Sequence, residues 1–389
     1  MELKEIKRTY VEINLDNIAH NINVLKKKLY DTTGIMAVVK ANCYGHGATV
    51  VSTFVQPLVS MFAVSNIIEA VNLRKAGIIK PILILGYTPS EYVETLSEYS
   101  IIQTIYDYDY GKEMNEAAIS CGVRLEAHFK VDTGMTRIGF NACDADSFNK
   151  MMELYYCEGI YFTGIFTHFA VADSHKKEDE AYTKMQLERF SNIVKTLKER
   201  GAMFNYVHCC NSAAAMKYRE YHFDMVRYGI SMYGLTPDNS ESCELPLKEA
   251  MTLKTVVTMV KRVKAGTKVS YGCTFTALKD TTLVTVAMGY ADGYPRTMSN
   301  KGIMYINGKP LKIAGRVCMD QIILETDETD IKRGDEVSVF GYGTNQSISS
   351  FSAQAGTINY ETVCLITPRV QRRYILDGKI VAIIDSTPQ

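Results

Sequence analysis

Short apolar runs separated by amphipathic stretches fill roughly the first 240 residues of the chain. Eight runs stand out in order: IMAVV, MFAV, PILIL, IIQTI, RLEAHFKV, YFTGIF, FNYVHC and FDMV. Brief, near-continuous runs of this kind are the pattern of strands buried on both faces. Between most of them lie segments with helical periodicity, such as NIIEAVNLRKAG, whose last glycine marks the stop. Ahead of the first run, LDNIAHNINVLKKKL sets Ile18, Ile22, Leu25 and Leu29 on one helical stripe, with Asp16 as the expected N-cap. Eight strands alternating with helices over roughly 250 residues predict a β/α barrel of the TIM type. An open doubly wound sheet fits less well, because no G-x-G-x-x-G follows the first strand.

The pattern changes near LTPDNSESCELP, a polar, proline-containing stretch that reads as a linker. Beyond it, LKTVVTMVKRV, TLVTVAMGY, KPLKIAGRV and DEVSVFG are strand-like, and NGKP and KRGDE are turns between them. The expected fold class is α/β: an eight-stranded β/α barrel over residues 1–240, then a mostly β domain over residues 241–389. The first dozen or so residues are expected to pair with that second domain. A length of 389 residues agrees, being too great for one ordinary core.

Composition narrows the function. Apolar residues make up 47% and charged residues 22%, the balance of a folded, soluble chain. The 43 basic residues match the 43 acidic ones, so no net field draws the protein to nucleic acid or to an anionic membrane. The local cluster KRVKAGTK is accounted for by a surface strand. Ten cysteines are scattered, with one vicinal pair and no C-x-x-C, so reduced thiols and no structural zinc are expected. MELKEIKRTYVEINLDN lacks the apolar core of a signal peptide, and no apolar run reaches spanning length, which points to the cytoplasm. No H-E-x-x-H or other metal set is found. GYGTNQ lacks the third glycine of a nucleotide loop, and GISMYG misses the spacing of a nucleophile elbow.

Chemistry is suggested by where polar residues fall on the predicted barrel. Lys40 ends the first strand, with Tyr44 in its loop; Lys130 lies on the fifth, with Arg137 following; His168 ends the sixth. Asn211 and Ser212 follow the seventh, and Arg227 ends the eighth, leading to Gly229 and Ile230. Each alone has a plainer reading: a strand-end lysine is usually solvated, a lone histidine usually belongs to the core, and Ser212 could simply cap a helix. All of them, however, fall at the C-terminal end of their strands, where barrel enzymes keep their reactive groups. A lysine amine forms a Schiff base only when uncharged, so its usual pKa of about 10.4 must fall through desolvation or a neighbouring cation. Such lysines commonly serve pyridoxal phosphate, whose phosphate could rest on Ser212 and the N–H groups of Gly229 and Ile230. An arginine such as Arg227 beside the ring nitrogen would leave it unprotonated, weakening the electron sink.

These residues carry a resemblance. VVKANCYGHG resembles the lysine motif of alanine racemases, and the likeness continues through FKVDTGMTRIGF, FTHFAVAD, NSAA, MVRYGISMYG, KVSYGCTF, GYADGYPR, GRVCMDQ and GTINYETV. It implies an enzyme dependent on pyridoxal 5′-phosphate that racemises alanine and works as a head-to-tail homodimer. Lys40 would hold the cofactor as an aldimine and serve as base on one face of the substrate; Tyr271, from the partner copy, would serve on the other. Tyr44, Ser212, Gly229, Ile230 and Tyr360 would hold the phosphate, while Arg227 would meet the ring nitrogen with His168 packed near. Arg137 and the Met319 N–H would take the substrate carboxylate. Lys130 matches a position often carbamylated in the family, and Tyr290 and Asp320 match entrance residues. Two protonation sites suit racemisation, since a proton must leave one face and arrive on the other. A tyrosine base needs nearby cations, and Arg137 is the candidate, directly or through a histidine. Cys43 and Tyr228 depart from the family, which usually has alanine and proline there.

Three rivals share parts of this pattern. A barrel decarboxylase for basic amino acids should carry a glycine-rich phosphate loop and a cysteine motif in its β domain, and neither is evident. A pyridoxal-phosphate carrier would end after the barrel. A racemase for serine or for a wider range of amino acids remains the nearest alternative, because pocket volume cannot be read from sequence.

Overall fold

The structure, a computed structural model, describes residues 7–241, 243 and 245–385. They form two units. One comprises Ile22–Cys43 and Val51–Met232; the other comprises the described residues up to Asn21, Tyr44–Val50 and the described residues from Tyr233 onward.

Strand β1 (Tyr10–Asn14) belongs to the second unit. The first unit is a nearly closed parallel barrel. Its strands are β2 (Gly34–Val38), β3 (Met61–Val64), β4 (Ile82–Ile84), β5 (Ile101–Ile105) and β6 (Leu125–Asp132). The two-residue β7 (Phe140–Asn141) lies beside the end of β6, and β8 (Ile160–Phe166), β9 (Tyr206–His208) and β10 (Met225–Tyr228) follow. The order β10-β2-β3-β4-β5-β6-β8-β9 is parallel throughout. Asp224 N donates to Val207 O at 3.1 Å and Arg227 N to Cys210 O at 3.0 Å, which brings the last strand back to β9. These eight strands are the eight apolar runs, and β3, β4 and β5 are buried along their whole length, as strands covered on both faces must be.

Helices start just past the strand ends on polar caps. Asn66, Asp107 and Asn211 each accept a backbone N–H in the first turn of Ile67–Lys75, Tyr108–Ser120 and Ser212–Lys217. The long helix Lys177–Glu199 follows β8. Among the described residues no helix is long and apolar enough to cross a membrane.

The second unit is mostly β: β11 (Met251–Val263), the small pair β12 (Lys268–Val269) and β13 (Phe275–Thr276), β14 (Thr281–Val286), β15 (Ile303–Ile306), β16 (Lys309–Ile313), β17 (Ile322–Thr326), β18 (Glu336–Gly341), β19 (Gln371–Leu376) and β20 (Lys379–Ile384). The first half of β11 pairs with β18 and its second half with β14. The path β14-β17-β16-β15-β18 returns to β11, so these strands close a ring. Register shifts at Leu253/Lys254 and at Val257/Met259 let β11 bend around it. On its other side β11 pairs with β1, which continues to β19 and β20. Asn307 and Gly308, both with positive φ, make the two-residue turn between β15 and β16.

Two expectations need correcting. The units do not divide at a single cut near residue 240. Residues Tyr44–Val50 leave the barrel because Gly45 and Gly47 seat against the segment around Val363 and against Tyr374, and His46 stacks on Tyr233. The N-terminal segment pairs with the second unit through β1, as expected, and that unit continues to Asn21. Finally, Asp16 lies inside the first turn of helix Leu15–Lys26 rather than capping it. Asn14 Oδ1 accepts Asn17 N at 2.9 Å, while the Asp16 carboxylate accepts Asp377 N.

Candidate active site

Lys40 stands at the head of an unusual turn. Ala41, Asn42, Cys43 and Tyr44 all lie in the left-handed region, with φ of 51°, 54°, 55° and 50°. Each non-glycine residue there costs about 1–2 kcal/mol, so the turn has to be held by its surroundings. Ala41 N donates to Glu69 Oε1 at 2.8 Å, and Cys43 N donates to Val39 O at 3.0 Å. Glu69 uses its other oxygen for Ser65 N, which ties the turn to the end of β3.

Arg227, near the end of β10, is buried. Its Nη1 meets His208 Nδ1 at 2.9 Å, and its Nη2 meets His168 Nδ1 at 3.2 Å, Thr167 O at 2.8 Å and Cys209 O at 2.9 Å. Burial pushes its pKa down to about 10, which leaves it a cation at neutral pH. A guanidinium only donates, so both Nδ1 atoms must carry lone pairs, and both imidazoles are neutral. The Nε2–H of His208 then points at His128 Nδ1, 3.2 Å away. Burial and the Arg227 charge hold His208 well below the usual histidine range.

Lys130 on β6 is 3% exposed. Its ammonium donates to Val131 O at 2.8 Å and Ile138 O at 3.2 Å, and burial, then the Arg227 charge, pushes its pKa down to about 7. In the loop that follows, Asp132 Oδ1 accepts Gly134 N and Thr136 N, turning the chain toward an exposed Arg137. His168 lies where these charges meet. Desolvation and the charges of Arg227, Arg137, Lys130 and Lys40, in that order, hold its pKa well down. At the ends of β9 and β10, Gly229 N donates to Ser212 Oγ at 2.9 Å, and Ile230 opens the next short turn.

The remaining predicted residues belong to the second unit. The Tyr44 ring lies 6.1 Å from that of Tyr360 and 5.3 Å from that of Tyr233. Tyr271, 70% exposed, follows Ser270, whose Oγ donates to Arg316 O. Tyr290 N donates to Cys318 O and Ala291 N to Met319 O, so the Tyr290 turn lies against the Met319 segment; Met319 is 52% exposed. Asp320 accepts Arg369 Nη2, and the Nε of that arginine pairs with the buried Asp292. Lys40 and Tyr271 therefore lie in different units.

Sequence reasoning missed His128 and His208. The signal was present for one of them: alternation along β6 puts His128 on the same face as Lys130. Among the described residues no group of three or more His, Cys, Asp or Glu is placed to hold a metal ion.

Known proteins match the chain over most of its length. Residues 13–237 match the family model for the alanine racemase N-terminal domain, and residues 250–374 match that for the C-terminal domain. Fold and family models thus define an amino-acid racemase, an isomerase of the pyridoxal-phosphate-dependent class built on a β/α barrel and a β unit. The alanine racemase of Desulforamulus reducens is 42% identical, over 94% of this chain and 98% of that relative. The solved alanine racemase of Clostridium difficile superposes with a TM-score of 0.93 at 39% identity, covering 98% of this chain and 100% of the other. A structure of that enzyme in complex with cycloserine gives 0.91 at 37% identity, with the same coverage. The chain belongs to the alanine racemase family.

Proposed function

We propose that the protein interconverts L- and D-alanine with pyridoxal 5′-phosphate at the barrel mouth, as a cytoplasmic homodimer supplying D-alanine for peptidoglycan. The observation that carries this reading is the convergence of four basic side chains, Lys40, Lys130, Arg137 and Arg227, around His168, whose Nδ1 meets Arg227 Nη2 at 3.2 Å. Such a mouth suits an anionic cofactor and an amino-acid carboxylate. The donor set also fits the cofactor's parts. Lys40 offers an amine to its aldehyde, and Ser212, Gly229, Ile230, Tyr44 and Tyr360 offer N–H and O–H donors to its phosphate. Arg227 can face the ring nitrogen without giving up a proton. When bound, the cofactor supplies an electron sink that acidifies the substrate's α-carbon.

The chain's own residues do the rest. Arg137, with the N–H of Met319 from a second copy, holds the substrate carboxylate. Lys40 exchanges a proton with one face of the α-carbon, and Tyr271 from the second copy exchanges one with the opposite face. His168, kept neutral, fixes Arg227 without adding charge. Carbamylated Lys130 steadies Arg137.

The test is turnover of L-alanine, L-serine and L-lysine side by side, with deuterium wash-in at the α-carbon. Alanine should be racemised fastest. Lys40→Ala should abolish turnover, and Tyr271→Phe should lose exchange from one enantiomer by at least 100-fold. Preference for serine or lysine, or full activity of either variant, rules the reading out.

A further inference from the structure

We propose that Gln186 is a positioning residue for this reaction. From the helix Lys177–Glu199 it ties the loop carrying Arg137 to the loop carrying His168. Through two threonines it also fixes the carbonyls that hold Lys130 and Arg227. The inference rests on the function proposed above.

Gln186 is fully buried. A buried carboxamide is costly unless it is hydrogen-bonded, and here it is: Oε1 accepts Ala170 N at 2.9 Å, and Nε2 donates to His168 O at 3.1 Å and Thr133 Oγ1 at 3.2 Å. The chain of hydroxyls beyond it has only one possible direction. Thr167 Oγ1 lies 2.9 Å from Val131 O, and a carbonyl cannot donate, so the Thr167 proton is committed there. The 2.8 Å contact between Thr133 and Thr167 must then be donated by Thr133. That leaves Thr133 Oγ1 as the acceptor for Gln186 Nε2. The order is Gln186, Thr133, Thr167, Val131 O, and no hydroxyl can turn without breaking it.

The far end of this chain reaches two basic side chains of the site. Val131 O also accepts Lys130 Nζ, and Thr167 O accepts Arg227 Nη2 at 2.8 Å. Thr133 precedes the turn that presents Arg137, and His168 O is bound directly. One turn along the helix, Arg189 Nη1 donates to Thr133 O at 3.0 Å, so the helix grips that residue twice. A methionine at position 186 would fill similar space. What the amide adds is direction, which matters for positioning charged groups far more than for filling a core.

Gln186→Met, Thr133→Val and Thr133→Ser test this, by alanine kinetics, thermal melting and hydrogen exchange of peptides covering residues 133–139 and 168–172. Gln186→Met and Thr133→Val should raise KM for alanine about tenfold and speed exchange in both peptides, beyond what any fall in melting temperature accounts for, and should still do so well below that temperature. Thr133→Ser, which keeps the hydroxyl, should restore both. Gln186→Glu should gain activity as pH falls, because only the protonated carboxyl can donate to Thr133. Kinetics and exchange within twofold of wild type in Gln186→Met overturn the proposal. So does a loss that merely follows a lower melting temperature and disappears on cooling. Should Gln186→Met not fold, Thr133→Val decides by the same readouts. A wild-type protein that leaves alanine untouched would sink the proposed function instead, and the exchange data would still judge the tie.

Discussion

Lys130 shows how far burial alone can change a residue. With its pKa pushed down to about 7 by burial and by Arg227, this lysine holds an uncharged amine far more readily at neutral pH than an exposed one does. A neutral amine can add to carbon dioxide: the N–C bond forms, one proton leaves, and the uncharged amine becomes an anionic carbamate. Arg227 and Arg137, whose charges disfavour the ammonium, would favour that carbamate. Occupancy should therefore rise with pH through about 7 and fall away in acid. Carbon NMR on protein kept in labelled bicarbonate at pH 6 and 8.5 measures it, and no protein-bound signal at 8.5 would count against the idea. Linkage runs the same way for the unmodified residue. Between about 7 and the unfolded value of about 10.4, the unfolded chain binds a proton that the folded chain does not, so this group makes stability rise with pH across that window.

The turn that follows Lys40 depends on other elements for its shape. Gly45, at φ 78°, lies where a Cβ would run into the Val363 carbonyl, and Arg372 Nε donates to Gly45 O at 3.2 Å. Gly45→Ala should thus lose about 2 kcal/mol or more in urea unfolding, from the left-handed backbone and the collision together; an unchanged midpoint would mean the seat is loose. None of this was legible in the order of residues, because Val363 and Arg372 are remote in sequence. The barrel strands were legible, since a strand covered on both faces leaves an uninterrupted apolar run such as PILIL. The helices Ile348–Ala355 and Asn359–Cys364 were not, because SSFSAQAG and NYETVC are too short and too polar to show a period. In the site, charged residues at strand ends could be picked out one by one. The hydrogen-bonded partners that orient them, His208, Thr167 and Gln186, come from other strands or from an outer helix and carry no local signal.

At the scale of the whole molecule, the two proposed proton carriers lie in different units, and the face around Tyr271 and Met319 leaves large side chains in water. The proposed homodimer would cover this face with a second copy. In a two-fold dimer, each site would take Lys40 from one copy and Tyr271 from the other. This arrangement can be tested by complementation. A Lys40→Ala dimer lacks the lysine in both sites, and a Tyr271→Phe dimer lacks the phenol in both, so each should be inactive in racemisation. In the heterodimer of the two variants, one site collects both lesions and the other collects neither. Purified through two different tags, that heterodimer should recover about half of the wild-type activity per dimer. Were lysine and tyrosine drawn from the same copy, every site in the heterodimer would hold one lesion and activity would stay at the level of the parents.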